Sequence, residues 1–248
     1  MKEEAVISVS HLYKRFGHFT ANDDLCFEVG RGEIFGFLGA NGAGKTTAMR
    51  ILCGLSKPTS GDVKVAGFDV YTQTDHIKRN IGYMSQRFSL YEDLTVLENI
   101  RLYGGIYGLS RQKIREKSAQ LLSRLEMEHM QNSLIKSLPL GWRQKLAFSV
   151  AIVHDPPIVF LDEPTGGVDP LTRRQFWNMI YEAAHRGITI FVTTHYMDEA
   201  EYCDRISIMV DGQIAAIGTP ADLKASYGVS SINEVFIILA RGRQAVTE

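Results

Sequence analysis

The residues at 39–47, GANGAGKTT, have the types and the spacing of a loop that binds phosphate groups. Its three glycines permit backbone shapes that a β-carbon would block, so successive N–H groups can point at phosphate oxygens where a helix begins. Lys45 can bring a positive charge to the terminal phosphates, and the Thr46 hydroxyl can bind Mg²⁺. The pattern predicts a nucleotide site formed by Gly39, Ala40, Asn41, Gly42, Ala43, Gly44, Lys45, Thr46 and Thr47.

Two adjacent acids end a second apolar run, in the sequence IVFLDE at 158–163. Its four apolar residues predict a buried strand of a parallel sheet. Asp162, at the carboxyl end of that strand, can hold Mg²⁺ through water. Glu163 can act as the general base for a water molecule that attacks the γ-phosphate. With the glycine-rich loop, the acids predict a P-loop NTPase, and a small-molecule kinase and a GTPase both remain open at this point.

Strand and helix patterns elsewhere supply the scaffold for these two sites. The apolar run at 33–39 leads into the loop, a helix is expected over 45–53, and Gly54 is its expected cap. Alternating residues predict half-buried strands at 6–10 and 25–29. Further strands are expected at 61–67, 81–86, 158–161, 188–193, 205–210 and 213–217, and further helices at 173–185 and 197–202.

The pattern turns helical from about 94 to 153, between two of these strands. One helical face there is formed by Ile114, Ser118, Leu121, Leu122 and Leu125. The sequence therefore predicts a strand–helix core that brackets a helical insertion, with a β-rich section near the start.

The overall composition narrows the function classes. The chain has 248 residues, a net charge of -1 and no long run of like charges, so nothing favours nucleic acid as a partner. Cys26, Cys53 and Cys203 are far apart, imply no disulfide framework or metal clip, and fit a reducing, cytosolic compartment. No stretch approaches the ~18 apolar residues of a membrane helix, so the chain is not expected to cross a membrane alone.

Five further marks follow one another in a fixed order: Phe16 in YKRFG, Gln86 after IGYMS, GGVD at 166–169, His195 after ITIFVTT, and GTPADLK at 218–224. In these marks the chain resembles the ATP-binding cassette (ABC) ATPase family over essentially its whole length. The resemblance implies a RecA-like core with an N-terminal antiparallel β-subdomain, at 1–87 and 156–248, and an inserted α-helical subdomain at 88–155. Together they would form one nucleotide-binding domain, 1–248.

The same resemblance implies a role for each mark. Phe16 would stack on adenine, and Gln86 would contact Mg²⁺ and the attacking water. His195 would bind the γ-phosphate and orient Glu163, while Asp169, in the family's D-loop, would contribute to the nucleotide site. ATP and Mg²⁺ are the cofactors that these roles require.

The segment at 138–142 departs from the family pattern. ABC proteins start a helix there with Leu-Ser-Gly-Gly-Gln, whose amides reach the γ-phosphate held by the partner in a head-to-tail dimer. Here the residues are LPLGW, so Leu140 and Gly141 are the ones expected to meet the partner's ATP. Pro139 removes a hydroxyl and an N–H, but proline is favoured in a first helical turn and could aim the amides of Leu140, Gly141 and Trp142. An acid at position 141 would then face the phosphate. The alternative that LPLGW is a sequence variant with normal ATP hydrolysis stays open.

Sequence stretches in the helical insertion and after it resemble the type-2 exporter branch of the family. LTVLEN, YGGIYGL and VDPLTRRQFW are typical of it, and the resemblance implies a transmembrane permease subunit and a second cassette, identical or paralogous, as partners. Aromatic residues of this region, Phe88, Tyr91, Tyr103 and Tyr107, would either dock the permease or pack the insertion. The implied location is cytoplasmic, at the inner face of the membrane. Two alternatives stay open: a soluble ABC ATPase acting on ribosomes or DNA, and a weakly hydrolysing regulatory module.

Overall fold

Ten strands and eight α-helices occupy the residues that the computed structural model describes, 5–86 and 90–247. The strands are β1 (Ala5–Phe16), β2 (Phe19–Gly30), β3 (Ile34–Gly39), β4 (Ser60–Val65), β5 (Phe68–Asp69), β6 (Ile81–Met84), β7 (Ile158–Asp162), β8 (Thr189–Thr194), β9 (Arg205–Val210) and β10 (Gln213–Gly218). The helices are α1 (Lys45–Leu52), α2 (Thr74–Arg79), α3 (Val96–Ile106), α4 (Arg111–Arg124), α5 (Leu140–Ala151), α6 (Pro170–His185), α7 (Pro220–Tyr227) and α8 (Ile232–Thr247). Short 3₁₀ turns lie at Glu128–Met130, Ile135–Ser137 and Met197–Tyr202.

The main sheet has six strands in the order β10-β9-β3-β8-β7-β6. Five of them run parallel, and β10 pairs antiparallel with β9 at the edge. Both β3 and β7 are buried along their whole length, which explains why their sequences are continuous apolar runs. Since β3 and β7 flank β8, their carboxyl ends bring Gly39 and Asp162 to the same edge of the sheet.

The second sheet is antiparallel, with the order β2-β1-β4-β5. A phenylalanine cluster joins it to the main sheet: the Phe27 ring of β2 lies 5.7 Å from Phe35 and 5.5 Å from Phe37 of β3, between ring centroids. The cluster continues through Phe191, 5.2 Å from Phe37, to Phe160 at 5.4 Å. Pairs of this kind contribute about 0.5–1.5 kcal/mol beyond their burial, so the two sheets share one rigid base beneath the loop at 39–47.

The segment between β6 and β7 is helical, as the periodicity predicted. Thr95 begins α3 with a capping box that it shares with Glu98, and Ser110 caps α4. The expected apolar face of α4 is buried at Leu121 and Leu122. The α/β fold with an antiparallel β-subdomain is confirmed, while the boundaries at 87/88 and 155/156 stay a prediction.

The aromatic residues of this segment divide into two groups. Tyr103 and Tyr107 pack against the core, and the Tyr107 ring stacks on His154 with 3.6 Å between centroids. Tyr91 is exposed, and Phe88 lies outside the described residues. Packing therefore accounts for two of the four aromatic residues.

Several elements differ from the expectation. The segment Met197–Tyr202 is a 3₁₀ turn rather than an α-helix, because its amides bond three residues back, as Cys203 does to Ala200. Helix α6 begins at Pro170 instead of 173, since Asp169 caps it. Three helices had no prediction: α2, α7 and α8. The last contains the apolar stretch VFIILA, whose helical period is clear only once Val235 is seen to be buried.

Candidate functional site

The P-loop (39–47) joins the end of β3 to the start of α1. Gly44 is the N-cap of α1 in the left-handed conformation, and a β-carbon there would lie 2.2 Å from the Ala21 carbonyl oxygen. Asn22, fully buried in β2, donates from its amide to the Gly44 carbonyl oxygen at 3.1 Å. A glycine is therefore required at position 44, and the second sheet holds the loop in place.

Lys45 is buried at the base of the loop. Its ammonium group donates to the carbonyl oxygens of Gly39 and Ala40, at 2.9 and 3.1 Å. It also lies 3.6 Å from a carboxylate oxygen of Glu163. Burial lowers the pKa of Lys45, and the nearby carboxylates oppose that shift. The loop thus folds around a fixed positive charge.

Asp162 ends β7 beside the first turn of α1. Its carboxylate accepts hydrogen bonds from the hydroxyls of Thr46, at 3.3 Å, and Thr193, at 2.7 Å. Burial raises the pKa of Asp162, while these two hydrogen bonds act in the other direction. The structure therefore brings the two oxygen donors of the sequence prediction together, on neighbouring elements 116 residues apart in the chain.

Glu163 is the point where the other predicted side chains meet. The Gln86 amide donates to Glu163 Oε2 at 3.0 Å, and His195 Nδ1 lies 3.0 Å from the same oxygen. The backbone of Glu163 is left-handed, with φ 48°, and its N–H bonds to the carbonyl and hydroxyl oxygens of Thr193. A non-glycine residue in this conformation is strained, and such strain clusters at functional sites.

A cavity of about 390 Å³ opens over these groups. Six P-loop residues line it, together with Gln86, Glu163, Ala21 and Phe19; the six are Asn41, Gly42, Gly44, Lys45, Thr46 and Thr47. Phe16, the residue expected to stack on adenine, is 54% exposed and does not line this cavity. It pairs with Phe19 across the β1–β2 hairpin, and Phe19 is the aromatic residue at the cavity wall.

The segment at 138–142 begins α5, but its proline is not in the first helical turn. Pro139 is the N-cap, with ψ 151°, and the helix starts at Leu140. The Trp142 amide bonds to the Pro139 carbonyl oxygen at 3.1 Å, so it is engaged within the chain. This corrects the expectation that three amides are aimed at a ligand. The amides of Leu140 and Gly141, at the first two helical positions, precede the helical bonding pattern and are the two that remain for a ligand.

Gly141 faces the same chain rather than open space. A β-carbon there would lie 2.7 Å from the Thr172 methyl carbon. An acid at position 141 would therefore press on the Thr172 side chain of α6, and the expectation that its carboxylate would face the phosphate stays a prediction. Asp169 is engaged as well: it caps α6 and accepts from the Thr172 amide and hydroxyl, which lowers its pKa.

Leu140, Gly141 and Asp169 line a second cavity, of about 350 Å³. It shares no lining residue with the cavity over the P-loop. A third cavity, of about 240 Å³, adjoins both regions, because Leu140 lines it together with Gln86 and Glu163. Within the described part of one chain, the predicted site residues thus lie mainly in two groups. One surrounds Glu163 and the P-loop, and the other lies where α5 and α6 begin.

Three residues near the first group had no place in the sequence prediction: Asn22, Thr193 and Phe19. Asn22 in β2 and Thr193 in the apolar run before His195 are polar residues within buried strands. A polar residue in an apolar run is a signal that a sequence search could use. Phe19 gave none, because its position depends on the pairing of β1 with β2.

Comparisons with known proteins agree with this geometry. A family model described as "ABC transporter" matches residues 22–166. The chain is 48% identical over 222 residues to the probable multidrug ABC transporter ATP-binding protein YbhF of Escherichia coli (strain K12), which covers 90% of this chain and 38% of the relative. The chain thus spans about two fifths of the length of that relative.

A second relative is matched over more of its length. The linearmycin resistance ATP-binding protein LnrL of Bacillus subtilis (strain 168) is 32% identical over 252 residues, covering 98% of this chain and 81% of the relative. Among solved structures, the dimeric post-hydrolysis state of the ATP-binding cassette MJ0796 bound to ADP and Pi superposes with a TM-score of 0.77. The identity there is 26%, over 86% of this chain and 98% of that one.

Proposed function

Because the chain belongs to the ABC transporter family of ATP-hydrolysing cassettes, we propose that it is the ATP-binding and ATP-hydrolysing subunit of an exporter. It would drive transport through a separate membrane subunit. The observation that carries the proposal is the position of Glu163, which contacts Gln86, His195 and Lys45 at the wall of the P-loop cavity. A base held in place beside bound phosphate is what hydrolysis requires.

The nucleotide is proposed to bind in the cavity of about 390 Å³. The P-loop residues line this cavity where α1 begins, which suits the close approach of phosphate to backbone N–H groups. Lys45 supplies the positive charge for the β- and γ-phosphates. Phe16 stays our proposal for the adenine-stacking residue, and Phe19 is its neighbour on the cavity side of the hairpin.

Two oxygen donors beside the P-loop fit a divalent cation. The Thr46 hydroxyl and the Asp162 carboxylate touch each other, and both are of the hard oxygen type that Mg²⁺ prefers. We propose that these two residues and Gln86 would hold Mg²⁺. When bound, the ion would neutralise charge on the phosphate oxygens.

Glu163 is proposed to accept a proton from the attacking water. Gln86 and His195 both contact Oε2, so the carboxylate orientation is fixed from two sides. The Glu163 backbone N–H bonds to the Thr193 hydroxyl oxygen at 3.1 Å, which holds the main chain of the residue. The three contacts act as positioning groups, and the proton moves to the Glu163 carboxylate.

The variant segment at 138–142 is proposed to act across a dimer. Gly141 and Asp169 line a cavity that shares no residue with the P-loop cavity, and Leu140 adjoins both regions, since it also lines a cavity with Gln86 and Glu163. A partner's nucleotide is the one that we propose they meet. The similarity to a dimeric cassette bound to ADP and Pi supports this arrangement. With Pro139 at the N-cap, two amides and the positive end of α5 remain to contact the γ-phosphate.

A membrane partner is proposed because the named relatives are ATP-binding proteins of a multidrug transporter and of a drug-resistance system. No helix among the described residues has the length and apolar character needed to cross a membrane. The chain would then work at the cytoplasmic face of a membrane through a permease, paired with a second cassette, identical or paralogous.

The test is the ATP turnover of the purified chain, alone and with the membrane protein that co-purifies with it. We expect Mg²⁺-dependent hydrolysis that rises severalfold with the partner. Lys45→Ala should weaken ATP binding at least tenfold, because a charge-assisted hydrogen bond contributes about 1.5–3 kcal/mol. The matched control is Lys64→Ala, an exposed lysine on β4.

Three results would overturn parts of this proposal. Unchanged ATP affinity in Lys45→Ala would remove the nucleotide site. Co-purification with ribosomes instead of a membrane protein would favour the soluble alternative. Tight ATP binding with no turnover, even with the membrane protein present, would favour a regulatory module.

A further inference from the structure

We propose that His11, Asp24 and Cys26 form a site for a divalent transition-metal ion, with Zn²⁺ as the ion that fits best. The three side chains lie on β1 and β2, outside the nucleotide cavity. One ligand atom from each lies within 4.8 Å of the other two. In the described part of the chain, no other three His, Cys, Asp or Glu side chains lie close enough together to share an ion. The spacing of the cysteines along the chain gave no sign of this cluster, because Cys26 is the cysteine it contains.

The distances suit a small tetrahedral ion. His11 Nδ1 lies 2.8 Å from Asp24 Oδ1 and 3.8 Å from Cys26 Sγ. Zinc bonds of about 2.3 Å to sulfur and about 2.0 Å to nitrogen or oxygen place tetrahedral ligand atoms about 3.3–3.6 Å apart. Inserting an ion therefore requires the nitrogen and the oxygen to separate by about half an ångström and the sulfur to approach the nitrogen by about 0.3 Å. The sulfur and the Asp24 oxygen, which lie within 4.8 Å of each other, would approach by at most about 1.3 Å.

The backbone that presents these side chains is unusual. His11 and Asp24 both adopt the left-handed conformation, with φ 52° and 57°, which non-glycine residues rarely do. The pairing of β1 with β2 shifts register between Val9 and Leu12, at the same place. Gly61 of β4 packs directly behind, since a β-carbon there would lie 2.3 Å from the His11 carbonyl oxygen. Paired strands, not a loop, fix the cluster.

The ligand types separate this site from the Mg²⁺ site. A thiolate, an imidazole and a carboxylate are ligands that zinc takes, whereas Mg²⁺ favours oxygen alone. The side chains of His11 and Asp24 are 71% and 48% exposed, so an ion can enter and water can supply a fourth ligand. The cluster is not arranged as a nucleophile relay, because the same imidazole nitrogen faces both Asp24 and Cys26.

The experiment is a Co²⁺ titration of the reduced, nucleotide-free chain in excess Mg²⁺, with Zn²⁺ then added to displace the cobalt. We expect a thiolate-to-cobalt charge-transfer band at one ion per chain, which Zn²⁺ removes. Zn²⁺ should also slow alkylation of Cys26 by iodoacetamide at least tenfold. The other two cysteines, Cys53 and Cys203, are buried and contribute little to that signal.

Three conservative variants identify the ligands: Cys26→Ser, His11→Asn and Asp24→Asn. Asparagine tolerates the left-handed backbone, so the shifted pairing of β1 with β2 should be kept, and ATP hydrolysis should be unchanged. Each should weaken cobalt and zinc affinity at least tenfold. The control is His18→Asn, at an exposed histidine of the hairpin tip, and it should leave both affinities unchanged. Absence of the band in the wild-type chain would overturn the proposal. A band that keeps its strength in both asparagine variants would also overturn it, because a lone thiol would then suffice.

Discussion

The P-loop region and the start of α5 differ in whether the side chains expected to meet the nucleotide already contact one another. In the P-loop region, Lys45, Asp162 and Glu163 contact one another or their neighbours at 2.7–3.6 Å. At the start of α5, Arg143 donates to the carbonyl oxygens of Leu138 and Lys136, both at 2.7 Å. The residues before it are of another kind: Pro139 offers no donor, and Leu140 exposes an apolar side chain.

The difference assigns different tasks to the two regions. Preorganised charges and dipoles stabilise a transition state because they need not reorganise during the reaction. The P-loop region has such an arrangement within a single chain. What the first residues of α5 offer a ligand is backbone amides and the positive end of the helix, which act when a ligand from elsewhere reaches them.

The largest expected effect is at Glu163. Glu163→Gln should lower the ATP turnover by about 10²–10⁴-fold, the usual contribution of a general base, while ATP affinity is kept. Turnover is measured by phosphate release at saturating Mg²⁺ and ATP. Glu182→Gln, an exposed glutamate on α6, is the control. A Glu163→Gln variant as active as the wild type would show that the base lies elsewhere.

The next effect sharpens the contrast at the start of α5. Pro139→Ser with Leu140→Gly restores a hydroxyl and an amide, and removes the apolar side chain. One preorganised donor is worth about 10²–10³ in rate at comparable sites, so basal turnover should rise at least tenfold. Leu140→Ala alone, which adds no donor, should leave it nearly unchanged. If the double variant and the control have the same rate, the start of α5 does not meet ATP.

The smallest effect concerns the adenine. Phe16→Ala should weaken ATP binding by about 1–3 kcal/mol if its ring stacks on the base, and Phe16→Tyr should restore it. Phe19→Ala is the informative comparison, because Phe19 lines the cavity and Phe16 does not. Isothermal titration of both variants decides the matter. A loss in Phe19→Ala alone would move the stacking role to Phe19.

How well the sequence predicted each region follows from the range of the contacts involved. The P-loop and the strand before Asp162 are local patterns, and the structure has both where they were expected. The Asn22–Gly44 bond and the packing of Gly141 on Thr172 join residues that lie far apart in the chain, and no local pattern reports them.

The start of α5 shows the same limit at short range. Proline is favoured both just before a helix and in its first turn, and the choice changes which amides stay free. Here Pro139 takes the position before the helix, and the Trp142 amide donates to the Pro139 carbonyl oxygen, so it is not free for a ligand. Residue types alone did not distinguish these two registers.

In the proposed mechanism, two chains complete each other's nucleotide sites. The most direct measurement is sedimentation of Glu163→Gln with Mg²⁺ and ATP, with the bound nucleotide counted. The account predicts a dimer that holds two ATP molecules and returns to monomer when ATP is removed. A monomer that holds one ATP at saturating concentration, in the presence and absence of the membrane protein, would contradict it.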